Sequence, residues 1–136
     1  YLVRSRGLGD VYKRQVVLVG DMNATRYATP ANAPYDVYIG AGLVDPLGMT
    51  YKSPKPSSKA TVESRIHANY NSFNGFDPNI PSYAEGENGS NLDYILTSPM
   101  QVKEWETVVN LNSSGKLTGI IPSDHNMITA ELVLPH

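Results

Sequence analysis

Val16-Val17-Leu18-Val19-Gly20-Asp21-Met22-Asn23-Ala24 is the stretch on which the fold turns. Its first four residues are a continuous, mostly β-branched apolar run closed by a glycine, the pattern of a strand buried on both faces. Asp21 and Asn23 leave the C-terminal end of that run, where sheet proteins carry polar chemistry on loops. Two other stretches repeat the theme. Leu92-Asp93-Tyr94-Ile95-Leu96 reads as a strand with Asp93 and Ile95 on one face and Leu92, Tyr94 and Leu96 on the other, so its carboxylate must find a partner or face a cavity. Pro122-Ser123-Asp124-His125-Asn126 lies between Ile120-Ile121 and the alternating run Met127 to Leu134, which puts Ile128, Ala130, Leu132 and Leu134 on a core face. Taken alone, Ser-Asp-His reads better as a solvated turn. Beside two other strand-borne acids it reads as a site, because a carboxylate next to an imidazole can bind a metal and hydrogen-bond an anionic substrate together.

The remaining segments predict an α/β (α+β) domain in which strands predominate. Pro34 to Ala41, with Tyr35, Tyr38 and Ile39 at helical spacing and Gly42 as a stop, is a short amphipathic helix whose aromatic stripe packs into the core. The proline-bearing run 52–59 is a loop. Ala60 to Glu63 is expected to start a helical turn, Asn69 to Phe73 to form a strand, and Gly75 to Gly89 to be a long irregular loop. Val102 to Val109, around Trp105, reads as a further strand. His67 has no acidic or histidine neighbour at ligand spacing and reads as a surface histidine.

Composition narrows the chemistry. A chain of 136 residues with 40% hydrophobic content suits one globular domain. The absence of cysteine excludes disulfides, thiolate metal sites and cysteine nucleophiles, so any metal must be held by oxygen or imidazole. No apolar run approaches the ~20 residues of a membrane-spanning helix. Residues 1–15 carry four of the eleven basic residues and two glycines without a sustained period, and resemble a translated sequencing-adapter read; they are expected to be a non-native or disordered leader outside the core. Without them, seven basic residues face twelve acids, a formal charge of −5. An acidic body argues against a broad grip on nucleic-acid phosphates, which needs clustered Lys and Arg.

Gly20-Asp21-Met22-Asn23, Leu92-Asp93-Tyr94-Ile95 and Ser123-Asp124-His125, in that order, resemble the G-D-x-N, x-D-Y-I and S-D-H motifs of the endonuclease/exonuclease/phosphatase superfamily, the deoxyribonuclease-I-like metal-dependent phosphoesterases. Ser72-Phe73-Asn74-Gly75-Phe76 looks like the aromatic-glycine-aromatic segment before the middle motif, and Ala41-Gly42-Leu43-Val44-Asp45 like the helix exit after the first. The resemblance implies that residues 16–136 are the C-terminal half of a four-layer α/β/β/α sandwich, from a phosphodiesterase of nuclease-like or phospholipase-like type. It implies that Asp21 aligns or deprotonates the attacking water, that Asn23 hydrogen-bonds the scissile phosphate, and that His125 faces the phosphate with Asp93 fixing its tautomer. Asp124, with Asp21, would hold Mg²⁺ or another hard divalent cation. Members of the superfamily also bring an asparagine and a metal-binding glutamate from upstream strands, for which nothing before Val16 offers a position. Asn91 stands where many carry a basic residue. The chain alone is therefore expected to show at most trace hydrolase activity and to expose an apolar sheet face.

A different class of function remains beside this one: a non-catalytic binding or scaffolding domain in which the three acids make structural hydrogen bonds. A Ser/His/Asp esterase ranks last, because no G-x-S-x-G elbow exists in the chain. The expected partner is a phosphate-ester substrate. DNA, a phospholipid head group and a small phosphodiester all fit the reaction centre, although the charge does not favour nucleic acid. The Asn-rich, cysteine-free loops are compatible with secretion, and the sequons at Asn88 and Asn112 matter only in a glycosylating host.

Overall fold

The structure, a computed structural model, describes residues 15–24, 33–47, 62–79 and 91–134. The leader 1–14, the proline-bearing loop 52–59 and most of the long loop, from residue 80 to 90, lie outside the described residues. Five strands and one helix follow in the order β1 (Val17–Asp21), α1 (Ala33–Gly40), β2 (Val62–Ile66), β3 (Asp93–Thr97), β4 (Gln101–Thr107) and β5 (Ile128–Val133). β1 and β3 form an antiparallel pair, while β2, β4 and β5 form a mixed sheet with β2 parallel and β5 antiparallel to β4. This is the α+β class that the alternation of patterns predicts. A four-layer sandwich would need a second helical layer, and among the described residues there is one helix.

β3 is the best-buried strand because both of its faces are covered. Tyr94 and Leu96 are fully buried on one face, where the Tyr35 ring of α1 meets Tyr94 edge-on at 5.7 Å. Ile95 faces the other way, into a cluster with Leu47, Ala68 and Trp105 against which Val62, Ile128 and Ala130 pack. The core thus lies between the two sheets. α1 is held in place by its ends: Gly42, at φ 96°, donates to the Ile39 carbonyl at 3.0 Å, and Leu43 donates to that of Tyr38 at 3.1 Å. That pair of bonds closes a helix on a left-handed residue, and glycine adopts that conformation without a Cβ penalty. The chain then returns to β3, since Val44 exchanges backbone hydrogen bonds with Thr97 at 2.7 and 3.0 Å.

A bulge sets the inner face of the mixed sheet. Val102 is opposite Leu132, Trp105 opposite Ala130 and Thr107 opposite Ile128, so three steps on β4 match two on β5 across Lys103. An extra residue of this kind restores the inward phase that an odd spacing would otherwise reverse. Val102, Trp105 and Thr107 are all fully buried as a result.

Four expectations fail for identifiable reasons. The first strand is not buried on both faces: Val17 and Val19 are exposed, because among the described residues β1 has a partner strand on one side only. Val62 and Glu63 belong to a strand rather than a helical turn, since pairing with β4 decides a short segment that local preference leaves open. Asn69 to Phe73 is not a strand: His67, in the left-handed region at φ 49°, starts a turn in which the Tyr70 amide donates to the His67 carbonyl at 2.9 Å. Leu134 lies past the last rung of β5, at Val133, and is exposed.

Trp105 fills the centre of the core at 0% exposure, whereas Val37 on α1 is 66% exposed. Urea titration is expected to show Trp105→Ala losing about 3–5 kcal/mol of stability and Val37→Ala changing it by no more than about 0.5 kcal/mol.

Candidate active site

The antiparallel register of β1 and β3 runs from Val17 opposite Thr97 to Asp21 opposite Asp93. Directly opposed residues of an antiparallel pair share a face, and two like charges in that position repel. His125 relieves the repulsion. Its Nδ1 lies 2.8 Å from Asp93 Oδ2, and its Nε2 lies 3.9 Å from Asp21 Oδ2. Asp21 is oriented from the other side, because its Oδ1 accepts the Asn23 amide proton at 2.7 Å. That two-residue turn needs Asn23 at φ 46°, a conformation asparagine tolerates better than most residues.

Electrostatics follow from this geometry. The hydrogen bond that His125 donates to Asp93 is the largest influence and raises the His125 pKa above its ordinary 6.5; partial burial opposes it, and the charges of Asp93, Asp21 and Asp124 add to the rise. A charged imidazole donates through Nδ1 to Asp93 and leaves Nε2–H directed to the side of Asp21.

The loop that carries His125 is clasped by residues 71–76. Asn74 is buried and donates from Nδ2 to the Ser123 carbonyl at 3.1 Å and to Asn126 Oδ1 at 2.9 Å, while its Oδ1 accepts the Phe76 amide at 2.8 Å. The amides of Asn74 and Gly75 both donate to the Asp124 carbonyl, at 2.7 and 3.1 Å. Asn126 answers with bonds to the carbonyls of Ser72 and Asn71. Ser72 Oγ also accepts the amides of Leu92 and Asp93, at 2.9 and 3.1 Å, so one short segment sets both the entrance to β3 and the His125 loop. The Phe73 ring stands edge-on to the imidazole at 5.3 Å.

Asp21, Asp93 and His125 therefore come together from positions separated by more than a hundred residues, as their strand-end placement predicts. Asn23 sits at the exit of β1 with its backbone amide on Asp21. Asp124 neighbours the group and its charge acts on His125, but its carboxylate is outside the compact set. Asn91 is fully buried. His67 is exposed, with its ring edge-on to Tyr70, and is not part of this group. Asn74, Ser72 and Asn126 are positioning residues that sequence reasoning passed over. Asparagine and serine in a loop give no signal of burial, and the sequence marks Ser72 and Asn74 only through the aromatic-glycine-aromatic resemblance of their segment.

The donor set suits a cation. Ligand atoms of Asp21, Asp93 and His125 all lie within 4.8 Å of one another. Two facing carboxylates offer oxygen donors of the kind that fits Mg²⁺, and the imidazole could join them only in its neutral form, through Nε2.

The chain is similar in structure to a mannosyl-6-phosphatase of Bacteroides thetaiotaomicron, at 25% identity and a TM-score of 0.55 over 96% of this chain and 39% of that one. It is also similar to a conserved protein of unknown function from Enterococcus faecalis, at 19% identity and a TM-score of 0.57 over 92% of this chain and 38% of that one, a likeness of fold alone. The chain spans about two fifths of the length of these structures. No protein-family model and no curated protein matches it. The first of these structures is named as a phosphatase, and Asp21, Asp93 and His125 of this chain form a group that could hold a metal ion.

Two predictions follow the geometry. Because protonation of His125 is favoured in the folded state, its contribution to stability is complete below about pH 6.5 and is lost as pH rises through the raised value. Proton NMR of the metal-free chain is expected to place the imidazole titration above 6.5 and to find it lowered in Asp93→Asn. Asn74→Ala removes three side-chain hydrogen bonds from a buried site and is expected to cost about 2–4 kcal/mol in urea titration.

Proposed function

We propose that this chain is the C-terminal half of a divalent-metal-dependent phosphoesterase domain of the endonuclease/exonuclease/phosphatase type. The observation that carries the reading is the His125 imidazole held between two opposed carboxylates, 2.8 Å from Asp93 and 3.9 Å from Asp21. The likeness to a mannosyl-6-phosphatase supports it, and so does the span of two fifths of that protein's length, which leaves room for upstream residues.

Hydrolysis of a phosphate ester forms a bond from a water oxygen to phosphorus and breaks the bond to the leaving oxygen. Asp21, fixed by the Asn23 amide, aligns that water and takes its proton. The Asn23 side chain donates to a phosphoryl oxygen. His125 donates from Nε2 to the phosphate, and Asp93 holds Nδ1 so that the donor cannot switch tautomer. Asp21 and Asp124 would hold Mg²⁺ or a similar cation, which when bound would neutralise charge on the phosphoryl oxygens, while Asp93 stays on the His125 ring. Mono- and diesters share this chemistry. The −5 body makes a nucleic-acid strand the least favoured substrate.

In a protein carrying the whole domain, His125→Ala is expected to lower turnover about 10²-fold or more in an assay of phosphate ester cleavage, whereas the exposed His67→Ala leaves it nearly unchanged. Equal losses would overturn the choice of histidine. The 136-residue chain by itself is expected to show only trace Mg²⁺-dependent cleavage and to bind a dye for exposed apolar surface. A dye-silent monomer with strong turnover would overturn its reading as a half.

A further inference from the structure

A cavity of about 400 Å³ has His125 in its wall, along with residues on both sides of it in the chain. That volume is within the range of small-molecule sites, roughly 300–1,000 Å³. Its character differs from that of the acidic group around His125. Seven of its thirteen lining residues are apolar, among them Val108, Leu117, Ile120 and Met127. Ile120 is 93% exposed, Met127 62% and Val108 38%, so three large apolar side chains are presented to solvent at one opening. Isolated apolar residues on a surface are ordinary, but a contiguous group around a concavity marks a place for a ligand or partner.

The wall is built rather than incidental. The Thr118 amide donates to the Asn110 carbonyl at 2.9 Å, and Asn110 Nδ2 returns a bond to the Thr118 carbonyl at 3.2 Å. Gly119 follows at φ 76°, a left-handed turn that leaves Ile120 projecting at the rim. On the facing side the Val108 amide donates to the Met127 carbonyl at 2.8 Å, which extends the β4–β5 ladder to the mouth of the cavity.

The polar side chains on the lining are largely committed elsewhere. Both ends of the Asn74 amide and both ends of the Asn126 amide are bonded within the clasp, and the Ser123 hydroxyl accepts the His125 amide at 3.1 Å. A sugar or nucleoside needs a set of unspent donors and acceptors for its hydroxyls, and burying them without partners is costly. An alkyl or aryl group needs only apolar surface.

We infer that this cavity receives the alcohol part of the substrate and that this part is apolar, so the site takes alkyl or aryl phosphate esters in preference to sugar phosphates. The inference rests on the phosphoesterase reading, because His125 is the residue that the phosphate and the cavity share. The specificity assigned here differs from the one for which the mannosyl-6-phosphatase is named.

Isothermal titration of a protein carrying the whole domain, in Mg²⁺ buffer, with hexyl phosphate, mannose 6-phosphate and inorganic phosphate tests it, with hexyl phosphate kept below its micellar concentration. A buried methylene is worth about 0.8 kcal/mol, or about fourfold in affinity. Hexyl phosphate is therefore expected to bind at least about tenfold more tightly than either of the others. Ile120→Ser and Met127→Ser, at exposed positions that do not threaten the fold, are expected to remove most of that advantage and to affect hexyl phosphate more than inorganic phosphate. Equal affinity for hexyl and mannose phosphates would overturn the apolar subsite and leave the phosphate site standing. Absence of binding by all three would overturn both the subsite and the phosphoesterase reading. A concentration-dependent rise in mass that Ile120→Ser abolishes would also overturn the inference, since the rim would then cover a second copy of the chain.

Discussion

The register of β1 against β3 places Asp21 and Asp93 across from each other, and the surrounding architecture answers that constraint. Two carboxylates on one face of a strand pair are tolerated only where positive charge or solvent offsets their repulsion. Asp21 keeps solvent, with about half of its side chain exposed, whereas Asp93 is mostly covered and takes the imidazole at 2.8 Å. The difference in environment assigns different tasks to two chemically identical groups. The wetter carboxylate is available to a water or a cation, and the drier one is bound to a ring that it orients.

Such an arrangement requires the imidazole loop to stay where it is, because charge–charge contacts weaken quickly once water enters between them. The clasp supplies that rigidity. Ser72 fixes the start of β3 through two backbone amides, and Asn74 and Asn126 tie the turn before and after His125 to the same segment. Chain positions near 72, 93 and 125 thus move as one unit although they lie on separate elements. A scaffold of backbone bonds to buried amides holds a ring more firmly than side-chain packing alone, since each bond is directional and breaking it leaves a buried polar group unsatisfied.

Much of this was legible in the sequence where a periodic pattern or a strong local signal existed. The alternation in Leu92 to Leu96 gives the two faces of β3 correctly, because side chains of a strand alternate without exception. Gly42 marks the end of α1 because a left-handed residue is needed there. Acids at strand ends foretell the convergence of Asp21, Asp93 and His125. What was not legible depends on partners distant in sequence. Whether Val62 and Glu63 begin a helix or a strand is settled by β4, forty residues later. The burial of Asn74 is settled by a loop fifty residues away. The exposure of Val17 and Val19 reflects what β1 lacks beside it, to which a run of valines is blind.

The charge of the site constrains how an anion can enter it. With His125 protonated, one positive ring faces the carboxylates of Asp21, Asp93 and Asp124, all three of which act on it. The group then carries a formal excess of negative charge, and a phosphate arriving alone would meet repulsion that the imidazole only partly offsets. A divalent cation on the same carboxylates removes the excess and gives the phosphoryl oxygens a counter-charge. On the proposed phosphoesterase reading, the cation would be a condition for binding as well as for chemistry. By contrast, the apolar wall beyond the ring is indifferent to charge, and its contribution grows with buried area alone. On the proposed reading, anion recognition at His125 depends on a metal while the apolar lining of the neighbouring cavity selects by shape, and a ligand that engages both is charged at one end and oily at the other.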